Sequence, residues 1–550
     1  MKIQNSQTSV VLLQVALLAL LAAFGFSGPA AAVTDAKGWI VVESENLSLY
    51  SDAPPSRAVE IAENLERFRT VFARLAPALE LRASTPTALY AFRDAESFAP
   101  YKTRPDRGGV VTLGQFLSHP DGNYLTLDAG SRLAGAYAVI YHEYVHYLVS
   151  QNFPGVPLWF NEGLAEYYST FAVEQGRAVV GRPVQRHVRW LRGIGDFPLA
   201  DLLTATTGSA AYHEPDQVGG FYASSWLLVH YLLSGGDDRL ERCADFLIRV
   251  VEGGEDVEEA FEGAFGRRIS AMEQELQNYA YDDRFAVASV RLDDLRVTPV
   301  RVGRLPVADT LFHLGDLLAR QGRLPQAEGL FQAALERSPR HAEAHGGLAY
   351  VRDRQDRWEE AEVLYRDALA MGSRRAITHL LYGRHSLRLT GTSKRAVAAE
   401  ARARKVLARA VALEPSYGEA HANLAVAHLR PGGDPDAAMK AVRKARDLMP
   451  ARLDLVALQV QVHLRREEVD AAEGLILREL DGRASIEVVD RAFEDVDRTR
   501  LVVAAQRALE QGDGERAIQL FDEAVSLTSD EALRQRMEQQ LLNLQEQVGG

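Results

Sequence analysis

The sequence predicts an α+β domain followed by an all-α solenoid of helical hairpins. Three observations carry that expectation. Strand-like segments bounded by turn residues precede long helical patterns in the first half of the chain. Helical periodicity then lapses from Asp282 to Pro306. After Pro306 small and aromatic residues return in phase, as in Ala327-Phe331-Ala334 and, 34 positions on, Ala361-Tyr365-Ala368.

At 550 residues, with 47% hydrophobic and 25% charged residues, the chain is long enough for two or more cores and has the composition of a folded protein. Its formal charge of -13 comes from interspersed residues of both signs, which argues against nucleic acid as a partner. The expected divisions are a signal peptide at 1–32, an α+β domain at 38–280, a linker at 281–307 and a repeat array at 308–548.

The first element is an apolar run from Val10 to Phe26, ending in Gly28-Pro29-Ala30-Ala31-Ala32. A short apolar segment closed by small residues reads as a secretory signal cleaved after Ala32, with an uncleaved membrane anchor as the alternative. Membrane contact is expected only in the second case. The chain is therefore expected to be exported, periplasmic or secreted. Its single cysteine, Cys243, lies in a helical apolar pattern and reads as a buried structural thiol; no intramolecular disulfide can form.

Trp39–Glu43 and Leu47–Tyr50 read as two short strands around a turn. Ser51-Asp52-Ala53-Pro54-Pro55 starts a long amphipathic helix ending near Leu75, and Thr87–Phe92 is a further strand. Gly109–Leu113 and Tyr124–Leu127 are expected to pair around Pro120-Asp121-Gly122-Asn123. Ser131 is a candidate cap for the next helix, which runs to about Gln151.

Beyond the linker, Gly315, Ala327, Phe331, Ala334 and Pro339 stand at the spacing of the tetratricopeptide (TPR) pattern. The phase continues through Ala410 and Pro415, after an insertion around Gly391 to Ala401. It returns at Ala438, Ala445 and Pro450, at Ala472, and at Ala517, Phe521 and Ala524. About six units are expected. Small residues let paired helices approach, and the aromatic fills the gap to the next hairpin. His313, His345, His379 and His421 lack ligand spacing and are expected at hairpin interfaces or in the groove.

The chemistry is concentrated in His142-Glu143-Tyr144-Val145-His146. On a helix, residues at i and i+4 share a face, so both imidazoles reach one metal ion, with Glu143 beside them. A catalytic zinc site needs three protein ligands and one open position. The third is sought in Leu158-Trp159-Phe160-Asn161-Glu162-Gly163-Leu164-Ala165-Glu166-Tyr167, where Glu162 and Glu166 are one helical turn apart.

Together these two motifs resemble the gluzincin clan of zinc metallopeptidases, and within it the peptidase MA-like families. The resemblance spans roughly Trp39 to Tyr281. It implies an α+β gluzincin-like fold with Zn2+ held by His142, His146 and Glu162. Glu166 is then the carboxylate that orients His142, with the reverse assignment of the two glutamates as the fallback. Glu143 is implied as the catalytic base. Phe221-Tyr222-Ala223-Ser224-Ser225-Trp226 is similar to a later helix of these families and makes Tyr222 the candidate oxyanion donor, or else an aromatic packed under the metal-binding helix. His213 is a weaker candidate, and His230 reads as a core residue. Fifteen residues separate His146 from Glu162, fewer than in the aminopeptidases. No segment for capturing a substrate amino terminus is apparent either.

The leading expectation is thus an exported zinc endopeptidase acting on proteins or peptides, with a protein partner or substrate recruited in the TPR groove. Its alternative is a TPR scaffold, or chaperone-like binding module, whose peptidase-like site is vestigial. Zinc in a purely structural role is a third, weaker reading.

Overall fold

Apolar residues at consecutive positions, as in Leu89-Tyr90-Ala91-Phe92, give a strand two faces that both need cover. The computed structural model describes residues 36–549 apart from short stretches at 76–84, 104–112, 131–133, 153–154, 196, 214, 235–236, 252, 283–284, 294, 390–392, 451 and 482–483. The expected signal peptide and the Ser131 cap lie outside the described residues. Strands β1 (Ile40–Glu43), β2 (Ser48–Ser51), β3 (Thr87–Phe92), β4 (Gly114–His119) and β5 (Gly122–Asp128) lie in the order β4-β5-β3-β2-β1. β1 and β2 pair antiparallel, as do β4 and β5, while β2–β3 and β3–β5 are parallel.

The strand before the turn was expected at Gly109–Leu113 and instead begins at Gly114. His119 pairs directly with Gly122, so the turn is only Pro120-Asp121 and both strands extend toward it. Part of the expected segment, 109–112, lies outside the described residues.

Through Val42, Leu49, Leu89, Leu125 and Leu127, one face of the sheet packs on α1 (Pro55–Leu75) and α3 (Ala134–Asn152). A short helix, α2 (Ala95–Phe98), intervenes, capped by Asp94. The rest of this half is α4 (Leu158–Ser169), β6 (Ala172–Glu174), β7 (Arg177–Val180), α5 (Gln185–Gly193), α6 (Leu199–Thr204), α7 (Ala210–His213), α8 (Pro215–Ser234), α9 (Asp237–Val251), α10 (Val257–Phe265) and α11 (Ile269–Tyr281). Cys243 on α9 is buried, which pushes its thiol up to about 12, as expected of an inert structural thiol.

The expected linker is not a plain connector. Within it, β8 (Ala288–Arg291) joins β6 and β7 in a three-stranded sheet, and β9 (Arg301–Arg304) pairs with β1 as the sixth strand of the main sheet. Each is four residues long, and each is fixed by a partner far away in sequence, so neither imposes a local pattern.

The repeats follow as six hairpins: α12 (Val307–Arg320) with α13 (Leu324–Arg337), α14 (Ala342–Arg354) with α15 (Trp358–Ala370), α16 (Ala376–Leu387) with α17 (Lys394–Leu413), α18 (Gly418–Leu429) with α19 (Pro435–Leu448), α20 (Leu453–Arg465) with α21 (Val469–Glu479), and α22 (Ile486–Glu510) with α23 (Gly514–Ser526). A single helix, α24 (Glu531–Gly549), ends the array. Ala327, Ala361, Ala410, Ala438, Ala472 and Ala517 are all fully buried, as the phase requires. The Phe331 ring fills the space left by Gly315 and Gly347, where an added Cβ would come within 2.8 and 2.5 Å of it. Helix α17 extends to 20 residues and absorbs most of the insertion.

The first helices of successive hairpins contact one another, so the array curves with α12, α14, α16, α18, α20 and α22 on its inner side. The second face of the main sheet lies against this inner side. Tyr90, Phe92 and Tyr124 join one core with Leu311, Leu314 and Leu317 of α12. All seven residues of β5 are consequently buried. Among the described residues no helix is long and apolar enough to cross a membrane.

Candidate metal centre

The site is made by two consecutive helices, the second of which packs closely on a third because one contact position is glycine. α3 presents His142 and His146, one turn apart, and α4 presents Glu162. Gly163 faces α8: a Cβ there would lie 2.3 Å from the Ser225 carbonyl oxygen and 2.6 Å from Val229 Cγ2. The glycine therefore sets how deeply α4 is wedged between α3 and α8, and with it the position of the adjacent Glu162.

Three donor atoms converge. His142 Nε2 lies 3.0 Å from His146 Nε2, and Glu162 Oε2 lies 3.5 Å from the first and 3.3 Å from the second. A tetrahedral zinc ion with bonds of about 2.0–2.1 Å holds its ligand atoms about 3.3 Å apart, so the trio has the span of such a site. Among the described residues these are the groups that come together as a metal-binding set.

His146 Nδ1 lies 3.0 Å from Asn161 Oδ1; with the amide oxygen accepting, Nδ1 carries a proton and Nε2 is directed at the trio. His142 Nδ1 lies 3.7 Å from Glu166 Oε1, close enough for charge attraction but too long for a hydrogen bond. Two imidazole nitrogens and a carboxylate oxygen then face each other, an arrangement that could hold a metal ion.

The electrostatics agree. Burial works to raise the Glu162 carboxyl, but hydrogen bonds and charge from the two imidazoles outweigh it and hold the group well below the usual carboxylate range. His146 moves the opposite way: burial would lower it, yet Glu162 holds it up. Burial pushes the Glu143 carboxyl above the ordinary value against the pull of both histidines, the direction that makes a carboxylate a better proton acceptor.

Glu166 is buried and does not join the trio. Its Oε2 lies 3.2 Å from His187 Nε2, and its other oxygen is 2.5 Å from Arg186, both on α5. Burial would raise its carboxyl, and His187 leads the groups that hold it down instead. His187 and Arg186 were not singled out in the sequence. The available signal was an Arg-His pair on a strongly amphipathic helix, which names no partner.

The Tyr222 ring on α8 lies 6.5 Å from the His142 ring. His213 ends α7, and its side chain lies outside the described residues. His230 is fully buried, 2.9 Å from Tyr279 Oη and 2.8 Å from the Gly181 carbonyl, and so is a satisfied core residue. His379 and His421 are buried among the repeats and bonded to the Ser373 and Pro415 carbonyls, His313 is half-buried under the Tyr50 ring, and the half-buried His345 bonds the Pro339 carbonyl.

The class of the second half is settled by comparison as well as by packing. Residues 306–373 and 401–452 match family models described as tetratricopeptide repeat. Among solved structures the chain is similar to YrrB, described as a TPR protein with an unusual peptide-binding site, at 19% identity over 34% of this chain and 92% of that one, with a TM-score of 0.30. It is also similar to PilF of Pseudomonas aeruginosa, at 21% identity over 42% of this chain and 97% of that one, with a TM-score of 0.29. PilW, a type IV pilus biogenesis factor, matches at 15% identity over 42% and 100%, with a TM-score of 0.27. No curated protein sequence matches the chain. The chain thus carries a C-terminal TPR solenoid, a protein-interaction module, behind a half with a small sheet and many helices.

Proposed function

We propose that the chain is an exported zinc-dependent endopeptidase of the gluzincin type, of which the TPR solenoid is the protein-binding part. The observation that carries this reading is the convergence of His142 Nε2, His146 Nε2 and Glu162 Oε2 at the spacing of a tetrahedral zinc site, with a carboxylate base on the same helix. His142, His146 and Glu162 would hold the zinc ion, which would supply Lewis acidity toward a substrate carbonyl group. Glu143, with its raised carboxyl, takes the proton from the attacking water and passes it to the leaving amine. Tyr222 donates to the oxyanion that develops on the carbonyl oxygen. Glu166, braced by His187 and Arg186, holds the His142 ring in orientation.

The test combines metal analysis with proteolysis. Purified full-length protein is expected to contain one zinc per chain and to cleave an unstructured protein, and Glu143→Gln is expected to keep the zinc and lose cleavage. Protein that binds no zinc, binds iron in preference to it, or cleaves equally well as Glu143→Gln overturns the proposal. The family-model matches, confined to the repeats, favour a second reading as a TPR scaffold with a vestigial site. That reading expects Glu143→Gln to behave as wild type in every assay, including complementation of a deletion.

A further inference from the structure

The inner side of a TPR array is where such solenoids offer an extended concave surface to other molecules. Here the first four repeats already have something seated on that side. The β4–β5 turn projects into it, and Asp121 at its tip is buried. Asp121 Oδ2 accepts from Arg320 on α12 at 2.9 Å, and Oδ1 accepts from Arg384 on α16. The Asp121 carbonyl accepts from Tyr417 Oη, just before α18, at 2.7 Å. One residue of the turn therefore engages three repeats.

The strands behind the tip continue the contact. Tyr124 on β5 donates to Asp316 on α12 at 3.1 Å, and Tyr90 on β3 donates to the His313 carbonyl at 3.0 Å. The Tyr50 ring on β2 stacks on His313 with centroids 3.8 Å apart. The arginines that meet Asp121 are themselves tied into the array: Arg320 and Arg375 pair with Asp316, and Arg384 pairs with Glu419, which also holds Arg452. Buried charges so matched fix one register between sheet and solenoid, because losing either partner leaves a buried charge uncompensated.

We propose that the β4–β5 turn is a built-in ligand of the repeat groove, and that its seating there holds in place the strand layer under the His142–His146 helix. The route is short: β4 and β5 contact α3 directly, and the chain passes from β5 to α3 within a few residues. A protein that takes the inner face of the first four repeats must displace Asp121 and so loosens the layer on which α3 rests. Proteins recruited without that effect bind the later repeats, beyond Tyr417. The inference does not depend on zinc or on hydrolysis.

Hydrogen exchange of the full chain, followed by mass spectrometry, tests it. Asp121→Asn, and separately Arg384→Met at the other end of the same ion pair, are expected to speed exchange about tenfold or more in β4–β5, in the inner helices α12 and α16, and in α3. Arg500→Met, which breaks an exposed pair with Glu473 on the last hairpins, serves as the control and is expected to leave those regions unchanged. If Asp121→Asn does not accumulate as folded protein, Arg384→Met carries the test, since Arg384 is only half-buried. Faster exchange confined to the substituted peptide, or to the groove helices without α3, overturns the proposal.

Discussion

Gly163→Ala isolates the wedge that positions Glu162. An ordinary carbon–oxygen contact is about 3.3 Å or more, and the new Cβ would sit 2.3 Å from the Ser225 carbonyl oxygen. That oxygen belongs to the backbone of α8 and has no rotamer to relax into. Helices α4 and α8 must therefore part by about 1 Å, an overpacking strain of about 1–3 kcal/mol or somewhat more. Replacing a helical glycine by alanine returns about 1 kcal/mol through backbone entropy. The net expectation is a loss of about 1–2 kcal/mol, since the backbone contact puts the strain at the upper end of that range, read as a melting temperature about 2–8 °C lower for a domain of this size. The melt should be run with chelator present, so that it reports helix packing alone. The same displacement moves Glu162 relative to the two histidines, and competition with a chromogenic chelator should show zinc affinity down about tenfold or more. A variant that melts within 1 °C of wild type in chelator, about the resolution of such melts, refutes the wedge. Lower stability with unchanged zinc affinity refutes the link from Gly163 to the metal site.

Two further outcomes follow from groups outside the trio. His187→Ala should weaken zinc binding about 10–100-fold by releasing Glu166, with His187→Gln, still a donor, recovering most of it; equal affinity in all three proteins would remove His187 from the site. Asp316→Asn should destabilise the chain by about 3 kcal/mol at neutral pH, because it leaves the buried Arg320 and the half-buried Arg375 short of a charge. Burial would raise the Asp316 carboxyl, but Arg375 and Arg320 hold it down to about 2. A carboxyl depressed by folding stabilises fully above its unfolded value, about 4, and loses that contribution as pH falls through its folded value. The melting-temperature gap between wild type and Asp316→Asn should therefore close as pH drops from 4 toward 2, and a gap constant with pH would contradict the assignment.

The trio of His142, His146 and Glu162 was legible because it is local: two members on one helix at a fixed spacing and the third on the next helix. The repeat phase was legible for the same reason, each hairpin contributing its own alanine, and three of them also the aromatic (Phe331, Tyr365 and Phe521). His187 and Arg186 were not, since only the tertiary approach of α5 to α4 brings them to Glu166. The strands β8 and β9 escaped notice within the expected linker because each borrows its geometry from a distant strand. Thr87–Phe92 was read as a strand, but nothing in the sequence said that the solenoid would cover its second face.

The trio itself bears on the choice between an enzyme and a scaffold. Glu162 is 3% exposed, and its carboxylate lies 3.5 and 3.3 Å from the two imidazole Nε2 atoms. A proton that Glu162 holds on His146 offsets the carboxylate where no metal ion does, but burying the charged groups still carries a desolvation cost. A chain that needed only its repeats would gain stability from an apolar residue at any of the three positions, and substitutions of that kind are easy to reach. A local arrangement that costs stability yet keeps all three donors, the base and the braced Glu166 in register is what a working site requires. The convergence of His142, His146 and Glu162, with Glu143 beside them, thus weighs toward the enzyme reading proposed above independently of any similarity in sequence.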